Sequence, residues 1–220
     1  MKINQMLCPP GLRNNPNRLL KYVDFITIHG TGNYNPTATA NSHAKYQCNG
    51  SGGTQTSWHY TVDKSEIWQS FCDDQECWHA GSSTGNATSI GIEIAVNDRA
   101  GFSTACENTA WLTAELLKNH NLTIDKVVQH NYWSGKNCPA ELRSGAWGVT
   151  WEDFLGMVQK NLAPKEEPLF KPGHIPSEWA RESWEWAVSN KITDGTNPQA
   201  SASREQVIHL MLNYHKKFSK

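Results

Sequence analysis

Residues 89–96, SIGIEIAV, alternate between two kinds of side chain. Ile90, Ile92, Ile94 and Val96 fall on one face of an extended chain, and Gly91, Glu93 and Ala95 on the other. A period of two is the signature of a strand with one face in a core. A lone carboxylate in such a strand is costly to bury unpaired. Glu93 is therefore either a solvated edge residue or a functional carboxylate facing a cleft, where its very small neighbours leave it uncovered.

The surrounding pattern places this strand in an α/β domain with a mixed central β-sheet flanked by helices. YVDFITIH is a second strand, rich in β-branched and aromatic residues. TATANSHAKYQ reads as a helix starting near Thr37, and CNGSGGTQTS as a Gly/Ser-rich loop. WHYTVD and EIWQSF, joined at Lys64–Ser65, have hairpin spacing. A helix follows, with Leu112, Leu116 and Leu117 on one face. KVVQH is a short strand that delivers His130. TWEDFLGMVQKNL is a helix opened by a capping box between Thr150 and Asp153.

The run APKEEP breaks this pattern with two prolines and adjacent charges. The expected organisation is a first domain over 1–163, a linker over 164–168 and a small helical domain over 169–220. In the latter, Ser177 is expected to cap a helix carrying Trp179, Trp184 and Trp186. Ser203 and Gln206 form a second capping box before Val207, Leu210, Met211 and Tyr214 at helical spacing. A unit this small is marginal alone, which leaves docking on the first domain or pairing with another chain, as a homodimer, as open alternatives.

With 38% hydrophobic and 19% charged residues, the 220-residue chain has the composition of a soluble globular protein. A net charge of −1 gives no support to bulk electrostatic binding of nucleic acid. No apolar run is long enough to insert in a membrane. The N-terminal MKINQMLCPPGLRNN has no apolar signal core, so a cytoplasmic product is expected. Its six cysteines should then be reduced. Cys72 and Cys77 are close enough to suggest a bridge or a metal site, but no matching ligand pair occurs elsewhere, which favours free thiols. Ten tryptophans are many for this length; core packing accounts for most, and surface tryptophan also stacks on sugar rings.

His29 closes a strand, and His130 and Cys138 frame a short loop carrying Lys136. Two imidazoles and a thiolate are a natural ligand set for Zn2+, with the fourth tetrahedral position left for water, as in catalytic sites. The competing reading is two satisfied core histidines and a small buried thiol.

The segments FITIHGTG, SWHYTVDKSEIWQ, WHAGSSTGNATSIGIEIAVN and QHNYWSGKNCP follow one another as in the zinc-dependent N-acetylmuramoyl-L-alanine amidases, a superfamily that includes phage endolysins and peptidoglycan recognition proteins. The resemblance spans roughly residues 20–160. It implies a peptidoglycan hydrolase that cleaves the amide between N-acetylmuramic acid and L-alanine of the stem peptide. It also implies His29, His130 and Cys138 as zinc ligands, Glu93 as the acid/base and Lys136 beside the reacting carbonyl. Trp58, a candidate substrate-binding residue, stands where some members carry a tyrosine. His79 and Asn86 resemble substrate-cleft positions; the other six histidines have no partner pattern. For a cytoplasmic product, this activity implies release to the wall by another agent, as for a phage lysin in an infected or lysogenic cell.

The motifs KITDG and SREQ resemble one S-layer-homology repeat, implying that the C-terminal segment binds a cell-wall polymer. The alternative function is a module that recognises peptidoglycan without cutting it. Such members typically lack the thiolate ligand, and Cys138 is present here. A zinc peptidase would be expected to carry HExxH, which is absent.

Overall fold

The alternation read in residues 89–96 becomes the middle of a six-stranded sheet. In a computed structural model, which describes residues 1–163 and 175–218, the strands are β1 (Ile3–Gln5), β2 (Phe25–Gly30), β3 (Tyr60–Val62), β4 (Ile67–Gln69), β5 (Ser89–Ile94) and β6 (Val127–Gln129). Their order is β1-β4-β3-β5-β2-β6. Only the β3–β4 hairpin is antiparallel, with Thr61 opposite Trp68; every other pairing is parallel. The sheet is therefore mixed, as the sequence predicts. β1 and its parallel pairing to β4 are additions, since three residues carry no readable alternation.

One face of the sheet is the core. Ile26 and Ile28 of β2 and Ile90, Ile92 and Ile94 of β5 cluster with Phe102, Leu112, Leu116 and Leu117 of α3 (Phe102–Asn119) and with Phe154 and Val158 of α6 (Trp151–Leu162). The three leucines expected on one helix face are all buried. The Thr150–Asp153 capping box is present, Thr150 Oγ1 accepting from the Asp153 amide and Asp153 Oδ2 from the Thr150 amide. Thr27, His29, Thr61, Gly91 and Glu93 occupy alternate positions of the same strands and so project from the opposite face.

The first helix, α1 (Ala40–Cys48), starts later than the expected Thr37. Thr39 is in extended backbone and its hydroxyl accepts from the Ser42 amide, so it terminates the loop and caps the helix. The short helices α2 (Ser83–Thr88), α4 (His130–Ser134) and α5 (Ala140–Ser144) were not legible as periodicity. Asp63 stabilises the hairpin turn: Oδ1 accepts from the Ser65 and Glu66 amides, and Oδ2 from the Ala40 amide.

The chain divides into two compact units between Ala163 and Pro164. Beyond Ala163, the expected linker lies outside the described residues. The second unit contains α7 (Arg181–Ser189) and α8 (Arg204–Phe218). Ser177 does not cap α7 with its side chain. A 3-10 turn over Glu178–Ala180 intervenes, and Trp179 sits on it, 89% exposed. The Ser203–Gln206 box is formed, Ser203 Oγ accepting from the Gln206 amide and Gln206 Oε1 from the Ser203 amide. The α8 stripe of Val207, Leu210, Met211 and Tyr214 is at helical spacing, but all four side chains are exposed. Among the described residues, no helix is long and apolar enough to cross a membrane.

A histidine–cysteine cluster at the head of the sheet

His29 is the fifth residue of β2, in register with Glu93 of β5. Because β2 and β5 are parallel, both side chains leave the sheet on the same face, and Glu93 Oε1 lies 4.0 Å from His29 Nδ1. His130 opens α4 immediately after β6, the neighbour of β2 on its other side. Cys138 follows in a loop pinned at two points: its amide donates to Lys136 O, and its carbonyl accepts from the Asn131 amide.

The three residues converge. His29 Nδ1 is 3.0 Å from His130 Nδ1 and 4.0 Å from Cys138 Sγ, and one ligand atom from each of the three lies within 4.8 Å of the others. All three are buried. Tetrahedral zinc with its usual bond lengths separates two nitrogens by about 3.3 Å and a nitrogen from a sulfur by about 3.6 Å. The donor set and its spacing therefore fit such an ion. The Gly30 amide reaches toward the Cys138 sulfur at 3.5 Å, favouring its anionic form. Burial, foremost, and then Glu93 push the Cys138 thiol up to about 11, so a nearby cation is needed to ionise it at neutral pH.

Behind His29 lies an ordered chain of donors. The amide of Gly91 donates to His59 Nδ1, leaving His59 Nε2–H to donate to Gln75 O. His79 Nε2 lies 3.2 Å from Ser89 O, which can only accept, so that nitrogen carries the proton and His79 Nδ1 is an acceptor. His29 Nε2, 3.0 Å away, then donates to His79 Nδ1, and the lone pair of His29 is fixed on Nδ1, facing His130 and Cys138. The ring of His130 is held by the neighbouring Ala80 backbone. Asn86 Oδ1 accepts from both the His79 and Ala80 amides, so one side chain fixes the segment that touches both imidazoles. Gly91 makes room: a Cβ there would sit 2.8 Å from the His79 ring. Burial keeps His29, His59 and His79 neutral, with His79 lowered to about 3 and His59 to about 4.

Glu93 is nearly enclosed, with 15% of its side chain exposed, and its Oε2 has no hydrogen-bond partner. Burial pushes its carboxyl up to about 8, opposed by the charge of Lys136 and reinforced by that of Glu141. Lys136 itself is exposed. These groups open onto a cleft of about 740 Å³, within the range of small-molecule sites. Ser42, His43 and Tyr46 of α1, Trp58, and the loop residues Asn33 and Asn35 form its walls. The Trp58 indole is fixed by donation from Nε1 to Thr61 Oγ1.

The residues singled out in the sequence are thus gathered unequally. His29, His130, Cys138, Glu93, Lys136 and Trp58 meet in one cleft, whose lining His79 also reaches. His79 is packed beneath His29 with only 7% exposure, and the Asn86 oxygen is engaged by backbone. His59 and Ser89 were missed. The legible signal was Gly91, since a glycine inside a strand marks close approach by another group.

The sequence matches the family described as N-acetylmuramoyl-L-alanine amidase over residues 19–141. It is 40% identical over 156 residues to the N-acetylmuramoyl-L-alanine amidase XlyA of Bacillus subtilis (strain 168), covering 70% of this chain and 50% of that protein. It is 40% identical over 146 residues to the amidase CwlH of the same organism, covering 65% and 56%. The chain therefore spans about half the length of the curated relatives it matches. Against the solved catalytic domain of XlyA it has a TM-score of 0.65 at 40% identity, covering 72% of this chain and 99% of that domain. A strand-borne histidine facing a buried carboxyl, on a sheet shared with that domain and within a matched stretch of more than half the residues, places this chain in the N-acetylmuramoyl-L-alanine amidase family.

Proposed function

We propose that this protein is a zinc-dependent peptidoglycan amidase that hydrolyses the bond between the lactyl group of N-acetylmuramic acid and L-alanine of the stem peptide. The observation that carries this reading is the convergence of His29, His130 and Cys138 beside a buried, otherwise unpartnered carboxyl in an open cleft. His29 Nδ1, His130 Nδ1 and Cys138 Sγ would hold the ion. Zinc, when bound, polarises a carbonyl and lowers the pKa of water toward ~7.

The remaining chemistry belongs to the side chains. Glu93 takes the proton of the attacking water and returns it to the amide nitrogen as the bond breaks, a role suited to a carboxyl raised toward neutrality. The Lys136 ammonium, on the rim of the same cleft, counters the charge developing on the carbonyl oxygen. Trp58 supplies an apolar wall for the substrate. His79 and Asn86, which also line the cleft beside His130 and Lys136, serve as positioning residues through the imidazoles they hold.

Membership of the amidase family and similarity to a solved mutant endolysin from Bacillus subtilis, 39% identical over 72% of this chain, support a lysin-type role, degrading the wall of a bacterial host. The second unit is the proposed contact with a wall polymer, through exposed aromatic side chains such as Trp179.

The test is mass spectrometry of purified peptidoglycan incubated with the zinc-loaded chain. Stem peptides with a free L-alanine amine, and glycan strands with intact lactyl groups, are the expected products. Cuts within the peptide would overturn the assignment. Unchanged walls that nonetheless retain the protein would replace it with a binding module.

A further inference from the structure

Away from the cleft, the sulfurs of Cys8 and Cys48 lie 2.8 Å apart. The N-terminal segment that carries Cys8 extends the β1–β4 ladder: the Met6 amide donates to Gln69 O and the Cys8 amide to Ser70 O. Cys48 is the last residue of α1, and its thiol donates to Met6 O. Backbone therefore fixes both cysteines before any bond joins them. Cys8 is 7% exposed and Cys48 is half-buried. Cys77, fully buried, packs in the same cluster with Cys8 and Phe71, but the sulfurs in hydrogen-bond contact are those of Cys8 and Cys48.

We infer that Cys8 and Cys48 form a disulfide when the folded chain meets a low-molecular-weight disulfide oxidant. A disulfide needs about 2.05 Å between sulfurs, so closure requires a shift of less than about 1 Å in side chains already in contact. The more exposed Cys48 loses its proton to water and, as thiolate, attacks one sulfur of the oxidant, releasing one small thiol and leaving a mixed disulfide. Cys8 then loses its proton and attacks the Cys48 sulfur, expelling the second small thiol. The protein loses two hydrogens and two electrons, and the oxidant is reduced to two thiols. Burial raises both cysteines above the ordinary thiol range, which makes the exchange slow without opposing its equilibrium.

The bond would tie α1, whose Ser42, His43 and Tyr46 line the cleft, to the β1 edge of the sheet, and would close a loop containing β2 and His29. The inference does not depend on the metal assignment or on amidase activity.

The test incubates the folded, zinc-supplemented full chain with oxidised glutathione, then maps peptides without reduction. The expected result is a single internal bridge joining the peptides of Cys8 and Cys48, absent in C48S. The melting temperature of the oxidised protein should be about 5–15 °C above that of the reduced form, and C48S should show no such difference. Glutathione retained on Cys48 without a bridge, a bridge through Cys77, or persistently free Cys8 and Cys48 in a sample whose Cys72 has reacted would each overturn it.

Discussion

His29 Nε2 and His79 Nδ1 face each other at 3.0 Å, and the carbonyl of Ser89 on the far side of His79 decides which of them holds the proton. The consequence is a His29 lone pair that is already aimed at His130 and Cys138 before any ion arrives. Outer partners of this kind typically contribute 10–100-fold to metal affinity. H79A is therefore expected to weaken zinc binding by about 10–100-fold in chelator competition. G91A should do so too, since its new Cβ displaces the same ring. Unchanged affinity in both variants would remove His79 from this role.

Glu93 stands in register with His29 but is separated from it by 4.0 Å, too far for a hydrogen bond. Its loss should leave the ligand set intact. E93Q is expected to bind zinc with wild-type stoichiometry while turnover of purified walls falls by about 10²–10⁴-fold. Full activity with bound metal would exclude the carboxyl from proton transfer.

The same carboxyl gives a stability signature without substrate. Its folded pKa, about 8, lies above the ordinary value of 4.5, so the folded state binds the proton more tightly than the unfolded state does. Its contribution is present below pH 4.5 and is lost as pH rises through 8. In metal-free protein, wild type should therefore lose about 3 kcal/mol relative to E93Q between pH 5 and pH 8. Parallel denaturant midpoints for the two across that range would contradict the enclosed carboxyl.

What the sequence disclosed depended on whether a residue's partners were local. The period of two in β5 identified the face of Glu93, because strand pleating alone sets that alternation. Hairpin spacing and the Thr150–Asp153 box were equally local, and both were found. The short helices α2, α4 and α5 span too few turns for periodicity to register. The task of His79 was hidden because it depends on a loop folding beneath another strand, and only Gly91 recorded that approach. In the second unit, helical spacing was readable in α8, but spacing says nothing of what covers the face, and Val207, Leu210, Met211 and Tyr214 are exposed.

Asn86 separates a positioning role from substrate contact most directly. Its Oδ1 accepts from two consecutive amides, those of His79 and Ala80, and that segment supports His29 through the imidazole of His79 and His130 through the Ala80 backbone. N86A leaves both amides without their acceptor and should cost about 1–3 kcal/mol, with zinc affinity lowered in step. N86D keeps an acceptor at the same place and should retain both stability and zinc binding. Urea unfolding and chelator competition on the two variants, with wall turnover measured alongside, distinguish the alternatives. A raised KM in N86A at unchanged stability and zinc affinity would mean that Asn86 touches the substrate instead.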